Sequence, residues 1–178
     1  MVDLQTISFG LAALSFILAV TYYTFNMRHA RETRQAQLFM QLTSQIFTKD
    51  AMSDNIDLLD MKWDDLKDFY RKYDSSVNKA NFVKRFLVWY RYDQIGFLLN
   101  KGLIDRDFTY ALMGGMNASW VWNKFEPIIK HQRVHQNMPE LATWFEYLAK
   151  ELEKINTKRG YETSFRDDPS IYPEDINP

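Results

Sequence analysis

The chain has 178 residues, a formal net charge of −1 and no cysteine. The lack of cysteine excludes disulfides, thiolate chemistry and cysteine-ligated metal or iron–sulfur centres. A near-neutral charge provides no overall field to attract nucleic acid, and the length beyond the first apolar segment suffices for one domain.

The first segment is long and apolar enough to cross a membrane. Residues 4–27 carry no formal charge. As a helix they rise about 36 Å, at about 1.5 Å per residue, against a hydrocarbon core of about 30 Å. A cleaved signal peptide would begin with basic residues and end with small ones, whereas this chain begins MVD and the segment ends among bulky aromatics. We therefore predict a membrane anchor over residues 1–27, with the lipid bilayer as its partner.

The charges that flank this anchor predict its orientation. Arg28, Arg31 and Arg34 follow it and are opposed only by Glu32, while Asp3 precedes it. Positive charge stays on the cytoplasmic side. The N-terminus is therefore expected outside the cell membrane, and the remaining chain in the cytoplasm.

A juxtamembrane stalk follows at residues 28–48. Its first ten residues are polar and are mostly good helix formers. Apolar residues then recur at helical spacing, at Leu38, Phe39, Leu42, Ile46 and Phe47. We expect the spanning helix to continue through this stalk.

Residues 49–159 read as a small helical bundle. A break with a short helical turn is expected over 50–60, and helices over about 63–73 and 78–101, the latter stopped at Gly102. A further helix starts after Asp105 and kinks or restarts at Pro127. The last helix has Pro139 in its first turn and stops at Gly160. No segment alternates with a two-residue period, so the predicted fold class is all-α.

The helix over 78–101 carries many aromatic residues and several cations. Its predicted core face consists of Phe82, Phe86, Tyr90 and Phe97, with Val83, Leu87 and Leu98 on an adjoining row. The cations Lys84, Arg85 and Arg91 are assigned to the opposite, solvated face. Cations interleaved with aromatics also suit single-stranded nucleic acid, but the neutral overall charge disfavours that interpretation, and no nucleic-acid partner is predicted.

Residues 160–178 form a tail of different character. The segment is acidic and interrupted by proline, a composition typical of extended chain. Four of its apolar residues are candidate partner contacts: Tyr161, Phe165, Ile171 and Tyr172.

Several phrases between Phe82 and Leu148 carry a family resemblance. They are the aromatic helix over 82–90, the turn LLNKGLID over 98–105, the segment 120–129, Arg133, and WFEYL over 144–148. This stretch resembles an uncharacterised family of microbial membrane-anchored all-helical proteins. The resemblance implies a short N-terminal span and a helical soluble part, with no activity to transfer.

Two histidines are the candidate metal ligands. His131 and His135 are four residues apart, so on a helix they share one face. Gln132 stands where a zinc protease of the HExxH type has its general base, and Glu126 is the nearest carboxylate in sequence for a third ligand. The competing interpretation is a solvated helix end without metal.

An aspartate-rich sequence, DDLKD over 64–68, matches the DDxxD pattern with which isoprenoid synthases hold magnesium. Such enzymes need a second acidic cluster. Acidic residues in the first turn of a helix, where they suit its dipole, are the simpler interpretation.

These observations favour a non-catalytic single-pass membrane protein that acts as an interaction or accessory subunit of a larger membrane complex. No cofactor and no small-molecule substrate are inferred. Two alternatives stay open: a membrane-tethered enzyme with a His/carboxylate metal site, and a peripheral sensor of anionic lipid that uses the arginines after the anchor.

Overall fold

The computed structural model describes residues 3–113 and 118–161. This part of the chain is all-helical, as predicted, and contains no strand. Its seven helices are α1 (Leu4–Ile46), α2 (Lys49–Asp60), α3 (Leu66–Tyr73), α4 (Lys79–Asn100), α5 (Arg106–Met113), α6 (Ala118–His135) and α7 (Thr143–Lys158).

The chain divides into two compact units, the first ending at Leu42 and the second beginning at Thr43. The first unit consists of most of α1. Its apolar side chains lie exposed rather than packed against protein. α1 is one helix of 43 residues, so the apolar N-terminal segment and the polar segment after it form one continuous helix, as the sequence predicts.

The second unit is a bundle in which α4 packs most extensively against α7, and α6 also packs against α7. Helices α2, α3 and α5 each pack against α4. The buried face of α4 includes Val88, Trp89, Tyr92, Ile95 and Leu99. α4 is therefore the central helix of the bundle.

Side-chain caps explain where several helices begin. Thr48 accepts the backbone N–H of Ala51 at the start of α2, at 3.1 Å. Asn78 accepts the N–H of Asn81 at the start of α4, at 3.0 Å. Such caps satisfy donors that have no partner inside the helix. Gly102, with a φ of 64°, follows the end of α4 in the left-handed conformation expected of a stop.

At Pro127, where the sequence leaves a kink or a restart open, α6 continues as one helix. Three predicted boundaries differ from the structure. Residues 49–60 form a full helix, α2, rather than a break with a short turn. α3 begins at Leu66 rather than at about residue 63. α7 begins at Thr143, four residues after Pro139, because Ala142 adopts a left-handed conformation at its N-cap.

Candidate functional site: the outer face of helix α4

Helix α4 is apolar on both of its faces. Opposite its buried face lie Val83, Leu87, Tyr90 and Phe97, whose spacings of four, three and seven residues align them along one side. Their exposed fractions are 46, 55, 53 and 40 %. We call these four residues the α4 stripe. The stripe is thus a row of apolar side chains on the outer side of the bundle, with polar and charged residues of α4 beside it.

The structure corrects part of the predicted orientation of α4. Of the predicted core face, Val83, Leu87, Tyr90 and Phe97 are exposed, while Phe82, Phe86 and Leu98 are half-buried. The prediction that Arg85 is solvated is wrong, because this side chain is only 1 % exposed. The predicted row of apolar residues does exist on α4. A second apolar row, on the opposite face of the helix, forms the core.

A shallow recess lies beside Tyr90, with a volume of about 10 Å³, which is room for about one water molecule. It lies between α4 and the turn before α7, and it is lined by Phe86, Trp89, Tyr90, Asp93, Leu141 and Ala142. Among the described residues, the buried indole Nε1 of Trp89 has no hydrogen-bond partner. The recess is too small to hold the side chain of a partner.

Asp93 in this recess holds the start of α7. Its Oδ1 accepts the backbone N–H groups of Trp144 at 2.8 Å and of Phe145 at 2.9 Å. Since Ala142 provides no side-chain cap, Asp93 replaces the missing cap from another helix. Burial raises the pKa of the Asp93 carboxyl, and the two N–H donors partly oppose that change.

Cations flank the α4 stripe. Arg91 has a buried Nη1 without a hydrogen-bond partner, and Lys101 lies over the ring of Phe97, its Nζ 5.6 Å from the centroid. Within residues 3–113 and 118–161, neither cation forms an ion pair with a carboxylate, whereas Lys84 pairs with Asp54 and Asp57. The margins of the stripe thus carry two cations that form no ion pair among the described residues.

Beneath the stripe, on the core side of α4, lies the buried guanidinium of Arg85. Its Cζ is 4.6 Å from the ring centroid of Phe69, 5.6 Å from that of Phe82 and 5.7 Å from that of Trp89. Nη2 donates to the carbonyl oxygen of Tyr73 at 3.0 Å, while Nε and Nη1 have no partner. Burial lowers the pKa of Arg85 to about 10, so the group stays charged at neutral pH. Three aromatic faces therefore replace the usual carboxylate partner.

The two candidate metal ligands do share a face, as their spacing predicts. The rings of His131 and His135 are 4.2 Å apart. His131 Nδ1 is hydrogen-bonded to the hydroxyl of Tyr70 at 2.8 Å, and Glu126 forms an ion pair with Lys130 at 2.7 Å. No group of three potential ligands occurs among the described residues.

The aspartate-rich segment builds the start of α3. Asp65 caps the helix by accepting the N–H of Asp68 at 2.7 Å, and Asp68 accepts the N–H of Asp64 at 3.2 Å. Asp68 also forms ion pairs with Arg71 and Lys72. Its hydrogen bond to Lys72 is the largest cause that lowers the pKa of Asp68, to about 2.

In α1, Thr21 and Thr24 bond to their own helix. Their hydroxyls donate to the carbonyls of Ile17 and Val20, each at 2.8 Å. This satisfies polar groups that hydrocarbon would leave without partners. By length and composition α1 is able to cross a membrane near the N-terminus.

The arginines after the apolar part of α1 are exposed. Arg28 forms an ion pair with Glu32 at 3.1 Å. Arg31 and Arg34 lie one and two turns further along the same helix.

Of the four candidate partner contacts in the tail, only Tyr161 lies within the described part. It is exposed, and its backbone N–H donates to the carbonyl of Asn156 at 2.9 Å. Phe165, Ile171 and Tyr172 lie outside the described residues.

The fold and these sites define an all-helical protein with one helix able to span a membrane. A family model described as a domain of unknown function, DUF4760, matches residues 7–152. The chain therefore belongs to this family, which confirms the resemblance drawn from the sequence. No curated protein and no solved structure matches the chain.

Proposed function

We propose that this chain is a non-catalytic single-pass membrane protein, an interaction or accessory subunit that binds its partner through the α4 stripe. The observation that carries the proposal is the stripe itself. Contiguous apolar side chains on the outside of a bundle mark interaction sites more often than they mark free surface.

The α4 stripe has the features of an interface centre. Leu87 and Tyr90 are each more than half exposed, and a shallow recess lies beside Tyr90. Tyrosine and arginine are enriched among residues that dominate binding energy. Tyr90 supplies the tyrosine within the stripe, and Arg91 supplies the arginine at its margin.

The stripe also indicates what kind of partner it binds. Its spacing of four and three residues is that of helices that pack side by side. The cations at its margins, Arg91 and Lys101, favour carboxylates on the partner. We infer an apolar helix or segment with acidic flanks, contributed by another subunit of a membrane complex.

The anchor and its orientation belong to the same proposal. α1 would lie in the bilayer, with Arg28, Arg31 and Arg34 at the inner face and the bundle in the cytoplasm. Tethering confines the α4 stripe to the membrane surface. This raises the effective concentration of the stripe toward other membrane subunits.

Co-purification from native membranes in mild detergent tests the proposal. The full chain is compared with Leu87→Asp, which places a charge in the stripe, and with Val134→Asp, which alters an apolar residue 76 % exposed on α6. We expect a stoichiometric partner with the wild type and with Val134→Asp, and at least a tenfold lower recovery with Leu87→Asp. Equal recovery with both variants, or a lone monomer in every case, would refute the proposed interface.

A further inference from the structure

We propose that the C-terminal segment of this same chain, residues 162–178, covers the α4 stripe when no other subunit does. The inference rests on the stripe being the binding surface of the proposed function, and it adds how that surface is regulated. The segment would act as an internal competitor that a partner must displace.

The segment starts beyond the C-terminal end of α4. The C-terminal half of α7 contacts α5. Glu151 forms an ion pair with Arg106 at 2.8 Å. Arg159, the C-cap of α7, lies over the ring of Tyr110, with its Cζ 4.0 Å from the ring centroid. The first turn of α7 lies instead beside the stripe, where the ring of Trp144 is 5.8 Å from that of Phe97. A chain that leaves α7 must therefore turn back along α7 to reach the stripe.

The length of the segment matches this return path. From Lys158 back to Trp144 the helix covers about 21 Å, at about 1.5 Å per residue. An extended chain covers about 3.3 Å per residue, so about seven residues after Tyr161 bring it level with Phe97, near Asp168. Tyr90 lies about 10 Å further along α4, or about three residues of extended chain. An extended segment would therefore be long enough to bring Ile171 and Tyr172 level with Tyr90.

The charges of the two surfaces are complementary in this register. The segment contains five carboxylate side chains and one arginine, a net charge of −4. In this register Asp167 and Asp168 would lie beside Lys101, which forms no ion pair with a carboxylate within residues 3–113 and 118–161. A second copy of the chain would instead bring an identical set of cations to the stripe.

The cysteine-free sequence allows a direct test by disulfide trapping. Leu87→Cys is combined with Tyr172→Cys in the full chain, purified in detergent without partners. The matched control combines Tyr172→Cys with Val134→Cys, a position more exposed than Leu87. Under mild oxidation we expect the intramolecular bond to form at least tenfold faster in the Leu87 pair. Replacing Asp167 and Asp168 by asparagine should slow the formation of this intramolecular disulfide several-fold.

Equal rates for the two pairs would overturn the inference. Exclusive formation of intermolecular disulfides by the Leu87 pair would overturn it as well, because a second copy would then occupy the stripe. Circular dichroism of each variant before oxidation verifies that the helices are intact. Disulfide trapping uses purified protein without partners, whereas the proposed function is tested by co-purification with the Leu87→Asp variant. A negative result in one experiment therefore does not imply a negative result in the other.

Discussion

Replacing Gly96 by alanine should destabilise the bundle at its largest helix–helix contact. A Cβ at this position would lie 2.6 Å from the carbonyl carbon of Trp144 and 3.2 Å from Cβ of Leu148. The first obstacle is backbone of α7, which cannot move aside as a flexible side chain can. Gly96 therefore permits the close approach of α4 and α7.

Two effects of opposite sign determine the magnitude. Overpacking costs about 1–3 kcal/mol, and an obstacle of rigid backbone places Gly96→Ala at or above the upper end. Alanine also recovers about 1 kcal/mol of helix propensity. We expect a net loss of about 2 kcal/mol, which for a bundle of this size lowers the melting temperature by about 8 °C.

Thermal unfolding followed by tryptophan fluorescence measures this change in the bundle and is insensitive to α1, which contains no tryptophan. Gly10→Ala is the matched control, since no atom lies within 4 Å of a Cβ at that position. It should leave the melting temperature unchanged. A Gly96→Ala chain that melts at or above the wild-type temperature would refute the packing deduced for α4 and α7.

Three further substitutions probe buried or paired charges by the same unfolding measurement. Asp93→Ala should lower the free energy of unfolding by about 2 kcal/mol, because two helix N–H groups lose their acceptor. Asp93→Asn keeps an acceptor oxygen and should preserve most of this stability. An equal loss of stability for both variants would contradict the capping role of Asp93. Asp68 has a folded-state pKa lowered to about 2, so its ionised form contributes stability above its ordinary pKa that is lost as pH falls through about 2. Asp68→Asn should therefore flatten the decline of melting temperature below pH 4, and an unchanged decline would contradict this. Arg85→Met should raise the free energy of unfolding by about 1–2 kcal/mol, because it removes a buried charge without an acid partner; a fall would show that the aromatic cage fully compensates the charge.

Local signals predicted the elements of the fold well. Asn78 and Gly102 bound α4 because caps and stops depend on residues adjacent in sequence. Thr48, which caps α2, is a signal of the same kind. The start of α7 escaped prediction because its cap, Asp93, comes from 51 residues away.

The candidate site was harder to predict, because α4 carries two regular apolar rows. Val83, Leu87 and Tyr90 recur with the same four- and three-residue steps as Val88, Tyr92 and Ile95. Periodicity predicts that a helix has an apolar face. Where two apolar rows are present, it does not determine which of them is buried. That choice depends on the α7 contact at Gly96, which is a property of the tertiary structure.

The buried Arg85 was missed for a related reason. An arginine on a helix surface is normally solvated. Its aromatic neighbours come from α3 as well as α4, so the cage exists only once those helices pack. Only the dense aromatic composition around Arg85 hinted at it.

The account depends most directly on α1 lying in hydrocarbon, with the bundle at the inner face. Single cysteines in this cysteine-free chain, at Asp3 or at Val134, can be labelled with a membrane-impermeant maleimide in right-side-out vesicles. We predict labelling of Asp3→Cys in sealed vesicles and of Val134→Cys only after detergent. Labelling of Val134→Cys in sealed vesicles, or recovery of the chain in the soluble fraction, would contradict the account.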